Sequence, residues 1–412
     1  MSRFTSSVIG VTDTRRGALF FSIAIVGTYS VLPLFISYSI PNSKYFVELA
    51  RISLLAGLSV FVGSKFSLAD GLFVGRGPKV VVDTNVFLVV VWIAFVSFAL
   101  LALATAERIP LVAALTGADP DTVAILRERF LKAREGWQSS FVYVNAVLAG
   151  ALIPYSISLM FARGLRHRWL AFILFVLYCV SFLEKAFFLK AALPLFYLVA
   201  QRRIRTLLRP GQLIAAMLAL LLAVTVFSGA GTEDVDGSDV FFSTGYVPQG
   251  ALAHLVWRSV AIPLLTAADA IRVFDQDFSG KIFWGATSGM LAALTGQDRI
   301  EFERLVFSAE WGQNETATGS SNSVYVTEAL VNFGLLGVVI FSAAIGLIFR
   351  MFAKSRDEAF RSLWLLFFMG AYTSGLVGLL FSNGFALLFA LNLFVRFRTS
   401  RRRSPQTSSW AS

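Results

Sequence analysis

One cysteine and two histidines are all that 412 residues provide of the side chains that most often bind transition metals. Cys179 stands alone in an apolar run, so no disulfide can close within the chain and no cysteine metal cluster can form. His167 and His254 are far apart in sequence, which argues against a histidine-rich zinc or iron site. Charge is also scarce. Only 15% of residues are Asp, Glu, Lys or Arg, where a soluble domain carries about a quarter. The loop 65–83 holds Gly71, Gly75 and Gly77 but lacks the GxxxxGK[ST] spacing, so a phosphate-cradling nucleotide loop is excluded. No metal and no cofactor is expected.

Apolar runs fill the space that charge leaves. The composition is 56% hydrophobic, and mean hydropathy is +0.71. Runs of about 20 apolar residues imply bilayer spans. Ten are expected, at 18–40, 46–64, 85–104, 140–162, 169–183, 186–200, 211–229, 325–349, 362–381 and 384–396. The net charge of +11 does not suggest nucleic acid, because the bases cluster between spans. With the N-terminus inside, the segments 1–17, 65–83, 163–168, 201–209, 350–361 and 396–412 hold 22 of the 36 lysines and arginines. The much longer outer loops 105–138 and 230–323 hold ten. This is the positive-inside pattern. It predicts an all-α integral membrane protein of about ten transmembrane helices, with both termini cytoplasmic. Three regions follow: a seven-helix part, 1–229; a large outer (periplasmic) loop containing amphipathic helices, 230–323; and a three-helix part with a basic tail, 324–412.

The large loop inverts the charge of the chain. It carries twelve acids and five bases, leaving it at −7. Between Pro248 and Phe274 the residues Leu252, Val256, Val260, Leu264, Ile271 and Phe274 recur at helical spacing. At 100° per residue, His254, Arg258, Asp269 and Arg272 gather on one face, with Pro263 expected to kink the helix midway. Such a face is commonly just solvated. Its arginine forks also suit phosphate oxygens. Further on, Glu310 beside Trp311 sets a carboxylate next to an aromatic platform, which resembles sugar-handling chemistry, although an exposed loop glutamate is commonly nothing more than that. Three charged sites lie at or within the spans. Glu48 and Arg51 are spaced to pair on one helix face. Lys185 sits at a hairpin turn and can snorkel, whereas Lys190 lies deeper and needs a polar cavity or an anionic headgroup. In the shorter outer loop, Asp119-Pro120 reads as an N-cap and first helical residue. Val123, Leu126 and Phe130 then form the apolar stripe of a helix lying on the membrane surface.

The run Gly319-Ser320-Ser321-Asn322-Ser323-Val324-Tyr325-Val326-Thr327-Glu328-Ala329-Leu330-Val331-Asn332-Phe333-Gly334-Leu335-Leu336-Gly337 resembles the loop-to-span junction of bacterial oligosaccharide repeat-unit polymerases of the O-antigen (Wzy) type. Arg258 with Pro263, and Lys185 after the fifth span, are similar to other features of that family. The likeness extends to the ten-span layout. It implies glycosyl transfer without metal or nucleotide sugar on the outer face of the bacterial inner membrane. One polyprenyl-diphosphate-linked oligosaccharide would be moved onto another, building an O-antigen, capsule or exopolysaccharide. Arg258 and Arg272, with Lys185 or Lys190, would meet the diphosphate, and Glu310 or His254 would serve as base. Asn322, Tyr325 and Glu328 would shape the pocket or hold the loop on the eighth span, and Gly334 and Gly337 would allow close helix packing. The implied partners are the bilayer, a chain-length regulator and a flippase, with no nucleic acid. Two alternatives stand beside it. An O-antigen ligase would transfer a finished glycan to a lipid core and lean on His254. A transporter of lipid-linked sugars would show paired repeats, and none is visible.

Overall fold

The computed structural model describes residues 13–38, 43–67, 70–73, 79–131, 134–183, 187–201, 210–227, 240–312, 321 and 324–398. It is mostly helical. Its principal helices are α1 (Thr14–Tyr38), α2 (Lys44–Gly63), α3 (Thr84–Ala104), α4 (Pro120–Leu131), α5 (Gly136–Ala162), α6 (Arg168–Ser181), α7 (Phe187–Ala200), α8 (Pro210–Phe227), α9 (Ala251–Gln276), α10 (Phe302–Trp311), α11 (Tyr325–Lys354), α12 (Glu358–Ser362), α13 (Trp364–Thr373) and α14 (Phe385–Phe394). Six of them, α1, α2, α3, α5, α9 and α11, are long and apolar enough to cross a membrane. This is the pattern of a multi-pass membrane protein. Five of the six coincide with expected spans. The sixth, α9, belongs to the segment read as loop.

The remaining expected spans appear as shorter apolar helices. α14 has 10 residues, which at 1.5 Å each gives about 15 Å, half of a hydrocarbon core of about 30 Å. α13 also has 10 residues and ends at Ser374, which is extended (φ −142°, ψ 168°). A π-helical segment, Gly378–Ser382, then leads to α14. An all-α reading also misses a parallel two-stranded ladder, β1 (Val80–Asp83) with β2 (Val395–Arg398), in which Val80 faces Val395 and Asp83 faces Arg398.

Contacts sort the connecting segments into two ends. At one end the basic loops touch each other. Arg350 forks onto Asp70 and donates to Ser64 O, Arg163 donates to Thr84 Oγ1 and Phe397 O, and Arg361 donates to Thr14 Oγ1. At the other end Lys44 Nζ meets Asp275 Oδ2 at 2.7 Å, and Arg134 donates to Ala102 O at 2.8 Å. Glu48–Arg51 is not among the ion pairs of the described residues; the pair found near that end of α2 is Lys44–Asp275.

Small residues set the closest helix crossing. A Cβ on Gly63 would stand 2.3 Å from Ala343 O, and one on Gly346 would stand 2.2 Å from Val60 O, so α2 and α11 meet backbone to backbone. Aromatic rings fill the basic end of the core, where Phe352 stacks on Phe360 at 4.7 Å and Phe367 meets Phe385 at 5.4 Å. Asp119 caps α4, accepting from the Thr122 amide at 2.8 Å and the Thr122 hydroxyl at 2.6 Å. The apolar face of α4 is covered by protein, not lipid: Val123, Leu126 and Phe130 are buried, and Phe130 stacks on Phe182 with ring centroids 5.3 Å apart.

A buried carboxylate between two helices

α9 is one continuous helix through Pro263, which does not interrupt it. A proline removes one amide donor and costs stability in a helix interior. Here a run of buried small and aliphatic residues, Ala261, Leu264, Ala267, Ala268 and Ile271, holds α9 against its neighbours on both sides of it. α10 packs along the same helix and stops at Gly312, whose left-handed backbone (φ 75°) lets its amide return to Ser308 O.

Between these helices lies Glu310, only 9% exposed. Its Oε1 accepts from Thr266 Oγ1 at 3.0 Å, and its Oε2 from Ser321 Oγ at 2.7 Å. Burial pushes the Glu310 carboxyl above the usual carboxylate range, and the Ser321 and Thr266 hydroxyls oppose that shift. Asp269 and Arg258 are within electrostatic reach of it, the first opposing and the second favouring the ionised form. Arg272 binds Asp269 Oδ1 at 2.9 Å and donates to Ala309 O at 3.2 Å, tying α9 to the end of α10. The expected charged face therefore exists, but it divides. Asp269 and Arg272 pair with each other, while Arg258 is exposed and couples to Glu310. His254 lies a turn before Arg258, with its ring 6.1 Å from Trp257. Trp257 is buried, donates its indole N–H to Ser243 O and meets Trp311 edge-on at 6.5 Å.

Thr266 and Ser321 escaped the sequence reading as ligands of the carboxylate. A signal for Thr266 exists, since it falls 60° from Asp269 on the helical plot. Ser321 gave no signal, because a loop serine finds its partner only through folding. Glu303, one heptad before Glu310 and so on the same face of α10, is likewise raised by burial.

The family-like run behaves differently from expectation. Gly334 is not a packing glycine. It breaks α11 with φ 64° and ψ −160°, a conformation open essentially to glycine alone. The carbonyls freed by the break are taken by the loop: Phe283 N donates to Val331 O at 3.0 Å and Trp284 N to Asn332 O at 2.9 Å. Asn332 locks this joint by donating to Thr287 Oγ1 at 2.7 Å and to Glu328 O at 2.8 Å. A Cβ on Gly337 would meet Phe333 Cβ at 2.4 Å and Ala329 O at 2.6 Å, both on α11 itself, so the crowding there is within one helix.

Glu328 holds structure together across 48 residues. Its Oε2 accepts from Leu376 N at 2.6 Å and Val377 N at 3.3 Å, capping the turn that follows Gly375. Tyr325 is fully buried in the core, its hydroxyl accepting a long 3.4 Å bond from Ser342 and its ring 6.0 Å from Phe21. Neither residue lines the Glu310 site. Lys190 is also separate: it lines a mainly apolar cavity of about 180 Å³ with Gly150, Thr373 and Asn383. Two π-helical segments, Leu148–Leu152 and Gly378–Ser382, supply Gly150 and Leu379 to this cavity. Lys185 and Asn322 lie outside the described residues. No family model, no curated protein and no solved structure matches this chain.

Proposed function

We propose that the protein polymerises polyprenyl-diphosphate-linked oligosaccharides into a surface polysaccharide on the outer face of a bacterial inner membrane. One observation carries this reading: Glu310, a buried carboxylate raised above its usual range, is held by two hydroxyls, within electrostatic reach of Arg258 and beside Trp311, which meets Trp257. A carboxylate of that kind is a better base near neutral pH than an exposed one. The step is inverting. The acceptor hydroxyl gives its proton to Glu310 while its oxygen bonds to the anomeric carbon of the donor. The anomeric carbon–oxygen bond to diphosphate breaks, and its electron pair leaves on the diphosphate. Arg258, exposed and fork-shaped, meets that charge. Arg272 positions the site by fixing α9 to α10. Trp311 offers a face for a sugar ring.

Purified protein in proteoliposomes, given a polyprenyl-diphosphate-linked oligosaccharide, should yield a ladder of longer glycans. The ladder should disappear with Glu310→Gln. Substrate that crosses the bilayer without growing would make the protein a transporter instead. Transfer only to an added lipid-core acceptor would make it a ligase, with His254 the next residue to replace.

A further inference from the structure

A large cavity lies away from Glu310, at the basic end. It has a volume of about 560 Å³. Lys79, Arg163, Arg356 and Arg396 line it, against Asp357 and Glu358. The two acids are already engaged. Asp357 caps α12 through the Ala359 and Phe360 amides and accepts from Tyr155 Oη. Glu358 binds Arg361, which is outside the cavity lining. Among the cations, Lys79 donates to Asn392 O and Arg163 to Thr84 and Phe397. Arg356 and Arg396 are exposed and take part in no ion pair among the described residues.

The site is built by tertiary structure. The β1–β2 ladder clamps the segment before α3 to the segment after α14, and this brings Lys79 and Arg396 to one wall. The end of α5 supplies Leu159 and Arg163, and the turn before α12 supplies Arg356. Burial lowers the Lys79 ammonium from its usual range, and Arg356 and Arg396 push it in the same direction while Asp357 opposes them. Cations crowded in this way around an open cavity favour an anion with several oxygens. Arginine forks match a phosphate, and the apolar lining of Leu159, Val395 and Phe397 suits what a lipid headgroup carries behind it.

We infer that this cavity binds a phosphate group borne by an anionic phospholipid at the membrane surface on the side of the basic loops. The site is independent of the glycosyl-transfer reading. It ties the last helix to the loops before α3 and after α5, so an occupied site would brace that end of the helix assembly.

The experiment uses the full chain in nanodiscs of neutral phosphatidylcholine, titrated with phosphatidylglycerol or with inorganic phosphate, reading bound lipid by native mass spectrometry and the thermal midpoint. Phosphatidylglycerol should be retained and should raise the midpoint. Arg356→Ala with Arg396→Ala should weaken its retention by about tenfold or more, given the size of surface attraction per basic residue. Arg166→Ala with Arg398→Ala removes the same charge from exposed residues that do not line the cavity and should leave retention unchanged. Equal losses in the two double variants would reduce the effect to general surface attraction and overturn the site. A midpoint shift with inorganic phosphate equal to that with phosphatidylglycerol would overturn the lipid assignment in favour of a soluble phosphate.

Discussion

Glu310 and Glu328 are equally buried, at 9% exposure each, yet their surroundings assign them different work. Glu328 is held by backbone amides of a distant turn, Leu376 and Val377. Glu310 is held by two side-chain hydroxyls, Thr266 and Ser321, which can turn to other partners, and it lies within electrostatic reach of an exposed arginine, Arg258. A carboxylate that satisfies main-chain donors is structural, because its removal strands amides that cannot rotate away. A carboxylate oriented by hydroxyls can gain or lose a proton while its neighbours reorient. The two therefore separate stability from chemistry.

Replacing each in turn tests that separation. Glu310→Gln should lower glycan extension in proteoliposomes by about 10²–10⁴, the range for loss of a general base. Its thermal midpoint should move little. If stability fell with activity, Glu310 would belong with Glu328. Glu328→Ala should do the reverse. Leaving two amides buried without an acceptor costs about 2–4 kcal/mol. The expected readout is a lower thermal midpoint and less protein in the membrane, with activity per folded molecule retained.

The pH dependence sharpens the contrast, because burial raises the Glu310 carboxyl. Below the ordinary carboxylate value, folded and unfolded chains both hold the proton, and the group does not affect stability. As pH rises, the unfolded chain releases it first, so stability falls between the ordinary value and the raised one. Activity should rise over the same window as the base ionises. Glu310→Gln should flatten the stability slope, and an unchanged slope would remove Glu310 as its source.

Two smaller effects complete the series. Gly334→Ala should cost about 1–3 kcal/mol, since φ 64° with ψ −160° is strained for any side chain. Limited proteolysis should then show the 281–287 loop opening more readily, because its amides depend on the broken helix. Thr266→Val removes one donor to Glu310 and should shift the acid limb of the activity profile upward, with only a several-fold loss of rate above it. A profile that stayed in place would show that Ser321 alone orients the carboxylate.

Much of the architecture was legible because local rules govern it. Apolar runs marked five of the six long helices, and the basic loops sort to one end as their charge implied. Asp119 caps its helix as an aspartate before a proline should. The misreadings came where tertiary packing overrode local preference. Pro263 lies inside a continuous helix because its neighbours are buried on both sides. α4 gave its apolar stripe to Phe182 and Leu183 instead of lipid.

The sequence by itself determined a membrane-embedded helical chain, its charge asymmetry and the residue types at the loop face, since hydropathy and charge act residue by residue. Only the tertiary structure decided the rest. Thr266 reaches Glu310 across 44 positions, Glu328 reaches Leu376 across 48, and β1 finds β2 across more than three hundred. Gly334 reads the same as a packing glycine until the carbonyls of Val331 and Asn332 find their donors in another segment. A buried polar group must be satisfied, but its partner is chosen by the fold, and no pattern along the chain records that choice.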